Sequence, residues 1–312
     1  MASLVRTVLG DITPGELGVC DSHDHLFFRS AALAGQELDD EDAAAAELAA
    51  FRALGGGTVV QWTPYGLNRR PDALARVSRA SGVHVVAATG LHQAAHYPPG
   101  LVDQVRDRLA ALFTAELTDG IRPDDDPDGP PGPVRAGLVK VAGQFHGLDA
   151  HARLTMTAAA EAHHATGAPV AVHLELGTGG PAVVDLLCGE LGMPPDRVVI
   201  GHLNRFPDLD AQREVAETGV WLGFDGPSRA NHATDWRLLE SLTALVAAGH
   251  GGRLLLGGDT TTAAARASSG GGPGIPYLLR RLRPRLERAL GRAATEAILV
   301  ANPARAFAWV TP

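Results

Sequence analysis

Residues 18–28 read GVCDSHDHLFF. The run opens apolar and ends in ligand-type side chains. An open, doubly wound α/β sheet usually follows its first strand with a glycine-rich phosphate turn. Here the first strand runs instead into His-Asp-His. Seven similar runs follow: GTVVQW (57–62), VHVVAA (83–88), AGLVKV (136–141), PVAVHL (169–174), RVVIGH (197–202), GVWLGF (219–224) and RLLLGG (253–258). Near-continuous apolar runs mark parallel strands covered on both faces. Between them, residues 41–54, 152–166, 208–218 and 234–249 carry helical patterning. Pro71, Pro181 and Asp208 open such stretches, and Gly55, Gly167 and Gly192 close them. Eight strands alternating with helices predict an α/β fold, a closed (β/α)8 TIM barrel with a short N-terminal β extension. One domain is expected over residues 1–312, with the barrel core at about 18–290.

The bulk numbers agree with a globular enzyme. Of 312 residues, 45% are hydrophobic and 20% charged, which excludes disorder as the main state. A net charge of −8 argues against a nucleic-acid partner. In the basic stretch 280–292, Leu279, Leu282, Leu286 and Leu290 recur at helical spacing, so an amphipathic helix with a solvated arginine face is expected. Two cysteines, Cys20 and Cys188, give no disulfide framework, and a cytoplasmic location is the expectation. No apolar run approaches the roughly 18 residues of a membrane span. The segment 119–133 reads as a solvated loop. SSGGGPG (268–274) reads as an anion-binding nest, a lid or a plain loop. Asn302 is expected to cap a short terminal helix.

Barrels of this kind place their active sites at the C-terminal ends of the strands. His23 and His25 end the first strand, Lys140 the fourth, His173 the fifth, His202 the sixth and Asp259 the eighth. Residues i and i+2 of a strand share a face, so His23 and His25 can reach one ion. Taken singly, His173 or His202 reads as a satisfied buried histidine, and Asp259 as a helix cap. Together, at one end of five strands, they read as a metal centre. Histidine and carboxylate ligands suit Zn, and also Mn, Co or Fe. Four histidines, one aspartate and a bridge suffice for two divalent metal ions. Of the 27 basic residues, 26 are arginine and Lys140 is the only lysine. A neutral amine can add CO2 to become a carbamate, with two oxygens to bridge metals. Arginine never loses its proton and cannot do so. Burial beside positive charge lowers a lysine pKa and favours that chemistry.

The combination resembles the amidohydrolase superfamily and, within it, the phosphotriesterase family with its phosphotriesterase-like lactonases. The resemblance rests on VRTVLGDITPGELGVCDSHDHL, TGL…YPP, GLVKVA, VAVHLELG, VVIGHLNR, LLLGGD and NPARAF, which span most of the chain. It implies that His23, His25 and Asp259 hold a buried metal, and His173 and His202 a more exposed one. Carboxylated Lys140 and a hydroxide would bridge the two. The hydroxide would attack the substrate, and Asp259 would accept and pass on its proton. Lys140 and Asp259 are thus the implied catalytic residues.

The departures from the family bear on the substrate. Its organophosphate hydrolases have aspartate where Arg205 stands and histidine where Gly226 follows GFD; its typical lactonases have arginine at that second place. The reading is a hydrolase of a small lactone or carboxylic ester, including one with an anionic group. Phosphotriester, phosphoester or amide hydrolysis on the same site is the alternative, and a non-catalytic metal-binding barrel is a third reading. Trp62, Tyr65, His92, His96, Tyr97, Asn204, Arg205, Asp225 and Arg229 follow strand ends and are candidates to line the substrate pocket. Arg205 and Arg229 suit a carboxylate or phosphate clamp, or a salt bridge to a neighbour such as Asp225. Tyr97 is read as a hydrogen-bond partner of an exposed-metal ligand or as packing. The expected partner is a small molecule, without nucleic acid or membrane, in a possible homodimer.

Overall fold

The computed structural model describes residues 3–228 and 231–309. A short antiparallel hairpin, β1 (Val5–Thr7) and β2 (Gly10–Ile12), precedes the barrel. Eight parallel strands follow: β3 (Val19–Asp24), β4 (Gly56–Gln61), β5 (His84–Thr89), β6 (Leu138–Ala142), β7 (Val170–His173), β8 (Val198–Ile200), β9 (Trp221–Asp225) and β10 (Leu254–Gly257). Each pairs with the next in sequence order. The backbone N–H groups of Gly258 and Asp259 donate to the His23 carbonyl at 2.9 and 3.0 Å, linking the last strand to the first. A side chain at Gly257 would collide with the His23 backbone, so glycine permits this approach. The eight predicted runs all become barrel strands.

The helices form where their end signals lie. Asp40 accepts from the Ala43 N–H at the start of Glu41–Ala53. Asp149 does the same for Ala152 in Ala150–Thr166, which ends at Gly167 in the left-handed region. Asp208 accepts from Asp210 and Ala211 ahead of Leu209–Glu217. Each capping oxygen satisfies N–H groups that the first turn leaves unpaired.

Period-two alternation divides the strands between two cores. Val139, Val141, Val170, Val172, Val198, Ile200, Leu222, Phe224, Leu254 and Leu256 join the layer between sheet and helices. Cys20, Val60, Trp62, Val86, Ala88, Leu138, Ala171, Val199, Trp221 and Leu255 fill the barrel interior. The interior parity continues from Leu138 to Lys140, from Ala171 to His173 and from Trp221 to Asp225. The barrel is therefore an apolar plug with polar side chains on its C-terminal layer.

Several local expectations change. Asp125, in the segment expected to be solvated, is bound by Arg69, and its carbonyl accepts from the Tyr65 hydroxyl at 2.6 Å. Arg69 also pairs with buried Glu116 at 2.6 Å, so this loop is tied into the barrel. In the glycine-rich loop, the N–H groups of Ser268 and Ile275 donate to the carboxylate of buried Glu47 at 2.5 and 3.0 Å. The anion they bind is the protein's own. Asn302 is not a cap: it lies inside Asn302–Ala306, and its amide donates to the carbonyls of Gly251 and Leu254. Leu279, Leu282 and Leu286 are buried, as an amphipathic helix requires. Among the described residues, no helix is long and apolar enough to cross a membrane.

Candidate metal centre

Two ligand-type residues owe their direction to unusual backbone. His202 has φ 64° and Asp259 φ 54°, both in the left-handed region. Such a conformation costs about 1–3 kcal/mol for a non-glycine residue and persists only where surroundings enforce it. Simple alternation from Val199 and Gly201 would aim His202 outward. The left-handed turn brings its ring to the centre, 4.4 Å from the His173 ring and 4.9 Å from that of His23. A register irregularity between Asp21 and Asp24 does the corresponding work in β3.

One nitrogen of each imidazole is already engaged. Asp225 binds His23 Nδ1 through Oδ1 at 2.8 Å and His202 Nδ1 through Oδ2 at 2.6 Å. The Thr63 hydroxyl donates to the Phe27 carbonyl at 2.6 Å, so it accepts from His25 Nδ1 at 2.8 Å. His173 Nε2 meets Glu175 Oε2 at 3.2 Å, and Gln93 donates to that same oxygen at 3.0 Å. These contacts leave Nε2 of His23, His25 and His202, and Nδ1 of His173, as the free donors. Fixing one ring nitrogen in this way sets the tautomer that binds metal at the other.

The donor spacing fits a metal. The ligand atoms of His23, His25 and Asp259 lie within 4.8 Å of one another. Asp259 Oδ1 is 3.5 Å from His23 Nε2 and 3.4 Å from His25 Nε2. A tetrahedral site with bonds of about 2.0–2.2 Å has edges of about 3.3–3.6 Å. A second grouping, His23, His202 and Asp225, is equally close, but its short contacts are the hydrogen bonds just described.

Electrostatics favour the binding-competent protonation states. Burial pushes His25 down to about 4 and His173 down to about 3, with the charge of Lys140 adding to both. Burial also holds His92 and His202 well below the ordinary histidine range. Lys140, 2% exposed, is pushed down to about 7 by burial and by Arg205, against the opposing pull of Asp259. Burial would raise Asp259, but Arg205 and the neighbouring histidines hold it well below the usual carboxylate range. At neutral pH the imidazoles of His25, His173 and His202 are neutral, Asp259 is anionic and Lys140 has a substantial neutral fraction. Metal ligation needs the first two states, and CO2 capture needs the third.

The predicted pocket residues divide. His92 and His96 stand beside the site: the His92 ring lies 4.5 Å from His173 and 4.0 Å from His96. Trp62 is no pocket wall. It is 1% exposed, stacks on His23 at 3.9 Å and donates to the Ser22 carbonyl, so it floors the site from below. Tyr65 is equally buried and is spent on Asp125. Tyr97 accepts from the His92 N–H at 2.7 Å and touches no predicted ligand through its hydroxyl. Asn204 is buried and accepts from the Asp225 N–H at 3.0 Å. Asp225, 1% exposed, faces two histidines and not a substrate. Arg205 pairs with Asp259, not Asp225, and its Nε donates to Asn231 at 2.7 Å. Arg229 lies outside the described residues. Thr63, Gln93, Glu175 and Asn231 escaped the sequence reading, because polar residues outside the strand-end pattern carry no signal of what they touch.

Comparison with known proteins gives a consistent picture. The model of a family described as the phosphotriesterase family matches residues 3–307. A phospho-furanose lactonase of Mycoplasmopsis synoviae is 30% identical, over 97% of this chain and 91% of that protein. A solved lactonase from Listeria monocytogenes superposes with a TM-score of 0.90 at 27% identity, covering 99% of this chain and all (100%) of that one. A solved amidohydrolase from Mycoplasma synoviae gives 0.92 at 29% identity, over 99% and 92% of the two chains.

Proposed function

The chain belongs to the phosphotriesterase family and is a metal-dependent hydrolase; from that premise we propose that it opens a small lactone or cleaves a small carboxylic ester, including one that carries an anionic group. The observation that carries the reading is the set of free nitrogens from four histidines converging with Asp259 and Lys140 on one end of the barrel. The relative named a phospho-furanose lactonase supports the substrate class. A bound divalent pair supplies a Lewis acid and a water of lowered pKa at neutral pH.

The protein's own residues do the rest. His23, His25 and Asp259 would hold one ion, and His173 and His202 the other. Zinc suits this nitrogen-rich set best, with Mn, Co and Fe as substitutes. The neutral Lys140 amine, on adding CO2 and releasing one proton, would supply carboxylate oxygens to this ligand set. Asp225, Thr63 and Glu175 keep the imidazoles in their ligating tautomers. Trp62 closes the floor and excludes water from below. Asp259, anionic and at the centre, is the group placed to take a proton from the attacking water and return it to the leaving oxygen. Phosphoester and amide hydrolysis on the same site remain the competing substrates. The two free cysteines support a cytoplasmic setting.

The test is a substrate panel on protein reconstituted with Zn2+ or Mn2+ and bicarbonate. kcat/KM is compared for neutral lactones, phosphorylated lactones, aryl esters, phosphotriesters and N-acyl compounds. Lactones or esters are expected to lead. Turnover confined to amides or phosphoesters refutes the substrate assignment.

A further inference from the structure

We propose that Arg205, held by Asn231, is a positioning residue that fixes which oxygen of Asp259 faces the His23/His25 pair. The inference rests on the metal-site reading above and concerns residues to which that reading gives no part in ligand geometry.

The two oxygens of Asp259 have different neighbours. Oδ1 points at the Nε2 atoms of His23 and His25, at 3.5 and 3.4 Å. Oδ2 faces Arg205 Nη2, with His202 Nδ1 more distant at 3.9 Å. An aspartate carboxyl turns easily about its last torsion, so an oxygen stays in a ligand position only if the other is anchored. Arg205 is suited to anchor it because the guanidinium is itself anchored. Its Nε donates to Asn231 Oδ1 at 2.7 Å, and Asn231 Nδ2 donates to the Gly226 carbonyl at 2.9 Å. Asn231 is buried, and its own N–H donates to the Ser228 carbonyl. A chain of contacts thus runs from the loop after β9, through the loop after β8, to Asp259 after β10. The planar fork matters here: Nε serves one acceptor and Nη2 another, which a lysine ammonium cannot do in a fixed plane.

The same contacts bear on chemistry. An arginine accepts no proton, so Oδ2 faces a fixed cation and not a relay. The guanidinium edge used on Asp259 is also unavailable to grip an anionic substrate group.

Orientation and simple charge predict opposite results, which makes the proposal testable. If Arg205 only competes with metal for Asp259, removing its charge tightens metal binding. If it orients Asp259, removal weakens binding, and Asn231→Ala weakens it too although no charge changes. Chelator-treated wild type, Arg205→Gln, Arg205→Lys and Asn231→Ala would be titrated with Co2+. Binding is read by competition with a chromophoric chelator, metal content by mass spectrometry, ligand geometry by the visible Co2+ spectrum, and folding by thermal melts. Arg205→Gln and Asn231→Ala are each expected to weaken Co2+ by about tenfold or more, the usual scale for groups that orient metal ligands. Arg205→Lys should not restore it, and it carries the test if Arg205→Gln does not fold. Tighter binding in Arg205→Gln, or wild-type affinity and spectrum in folded Asn231→Ala, overturns the proposal. Wild-type protein that takes up no Co2+ overturns the metal reading itself, a separate and distinguishable failure.

Discussion

His23 and His202 share one carboxylate: Asp225 receives the Nδ1 of the first on Oδ1 at 2.8 Å and of the second on Oδ2 at 2.6 Å. The proposed ligand sets divide these two rings between them, and a single buried side chain sets the tautomer in both. Replacement by asparagine keeps the size but turns one acceptor into a donor that faces an N–H. Asp225→Asn should weaken metal retention by about 10–100-fold. Metal content after dialysis against a graded chelator series measures this. Loss at only one of the two ions would refute the shared role.

Lys140→Ala should lose the bridge and most of the metal. Acetate or propionate should restore part of both, since a small carboxylate can occupy the space of a carbamate. Lys140→Arg should not respond, because the guanidinium fills that space and cannot add CO2. Metal per chain, with and without added acid, reports the outcome. Undiminished metal in Lys140→Ala would exclude bridging.

Acid should destabilise the metal-free protein well before its carboxylates titrate in bulk. His25 and His173 are depressed to about 4 and about 3, and burial lowers His92, His96 and His202 as well. The unfolded chain takes up protons on these residues near 6.5 while the folded chain does not. Stability from them is therefore complete above pH 6.5 and declines as pH falls toward 4, by up to about 1.4 kcal/mol per pH unit per group. Asp24, raised to about 6 by burial, acts in the opposite direction, as does Asp21. Five groups thus act in the first direction and two in the second. Melting temperatures of chelator-treated protein should hold between pH 7.5 and 6.5 and fall from there to pH 5, and a flat profile would show that the rings are not buried neutral.

Arg69 binds Glu116 and Asp125 inside the protein, and Thr89 also donates to Glu116 at 2.5 Å. Arg69→Met leaves Glu116 as an uncompensated buried charge. Removing one partner of such a pair costs about 3–5 kcal/mol. Urea unfolding measures it. Arg69→Met combined with Glu116→Gln should recover part of the loss, because the stranded charge is then gone.

The sequence made the barrel legible because its strands are buried on both faces and its helices carry their own caps. In the folded barrel, period two carries Lys140 and His173 to the interior, two residues beyond Leu138 and Ala171. His202 stands out in the sequence by its type and its place at a strand end, yet alternation alone would turn it outward. Its φ of 64° is a response to the packing around it, and no local pattern announces it. Following strand ends makes Trp62, Tyr65, Asn204 and Asp225 pocket candidates in the sequence. They instead support the floor and the ligands, since a position after a strand does not say whether a side chain faces solvent or neighbours.

By itself the sequence determined the strands and the collection of metal-type side chains at one end, because apolar runs and strand order are local properties of the chain. Tertiary structure alone decided the pairings. Asp225 meets His23 across 202 residues and His202 across 23, while Arg205 meets Asp259 across 54. Those contacts exist only when the last strand reaches the first, and they decide which nitrogen or oxygen of each side chain is left free to bind.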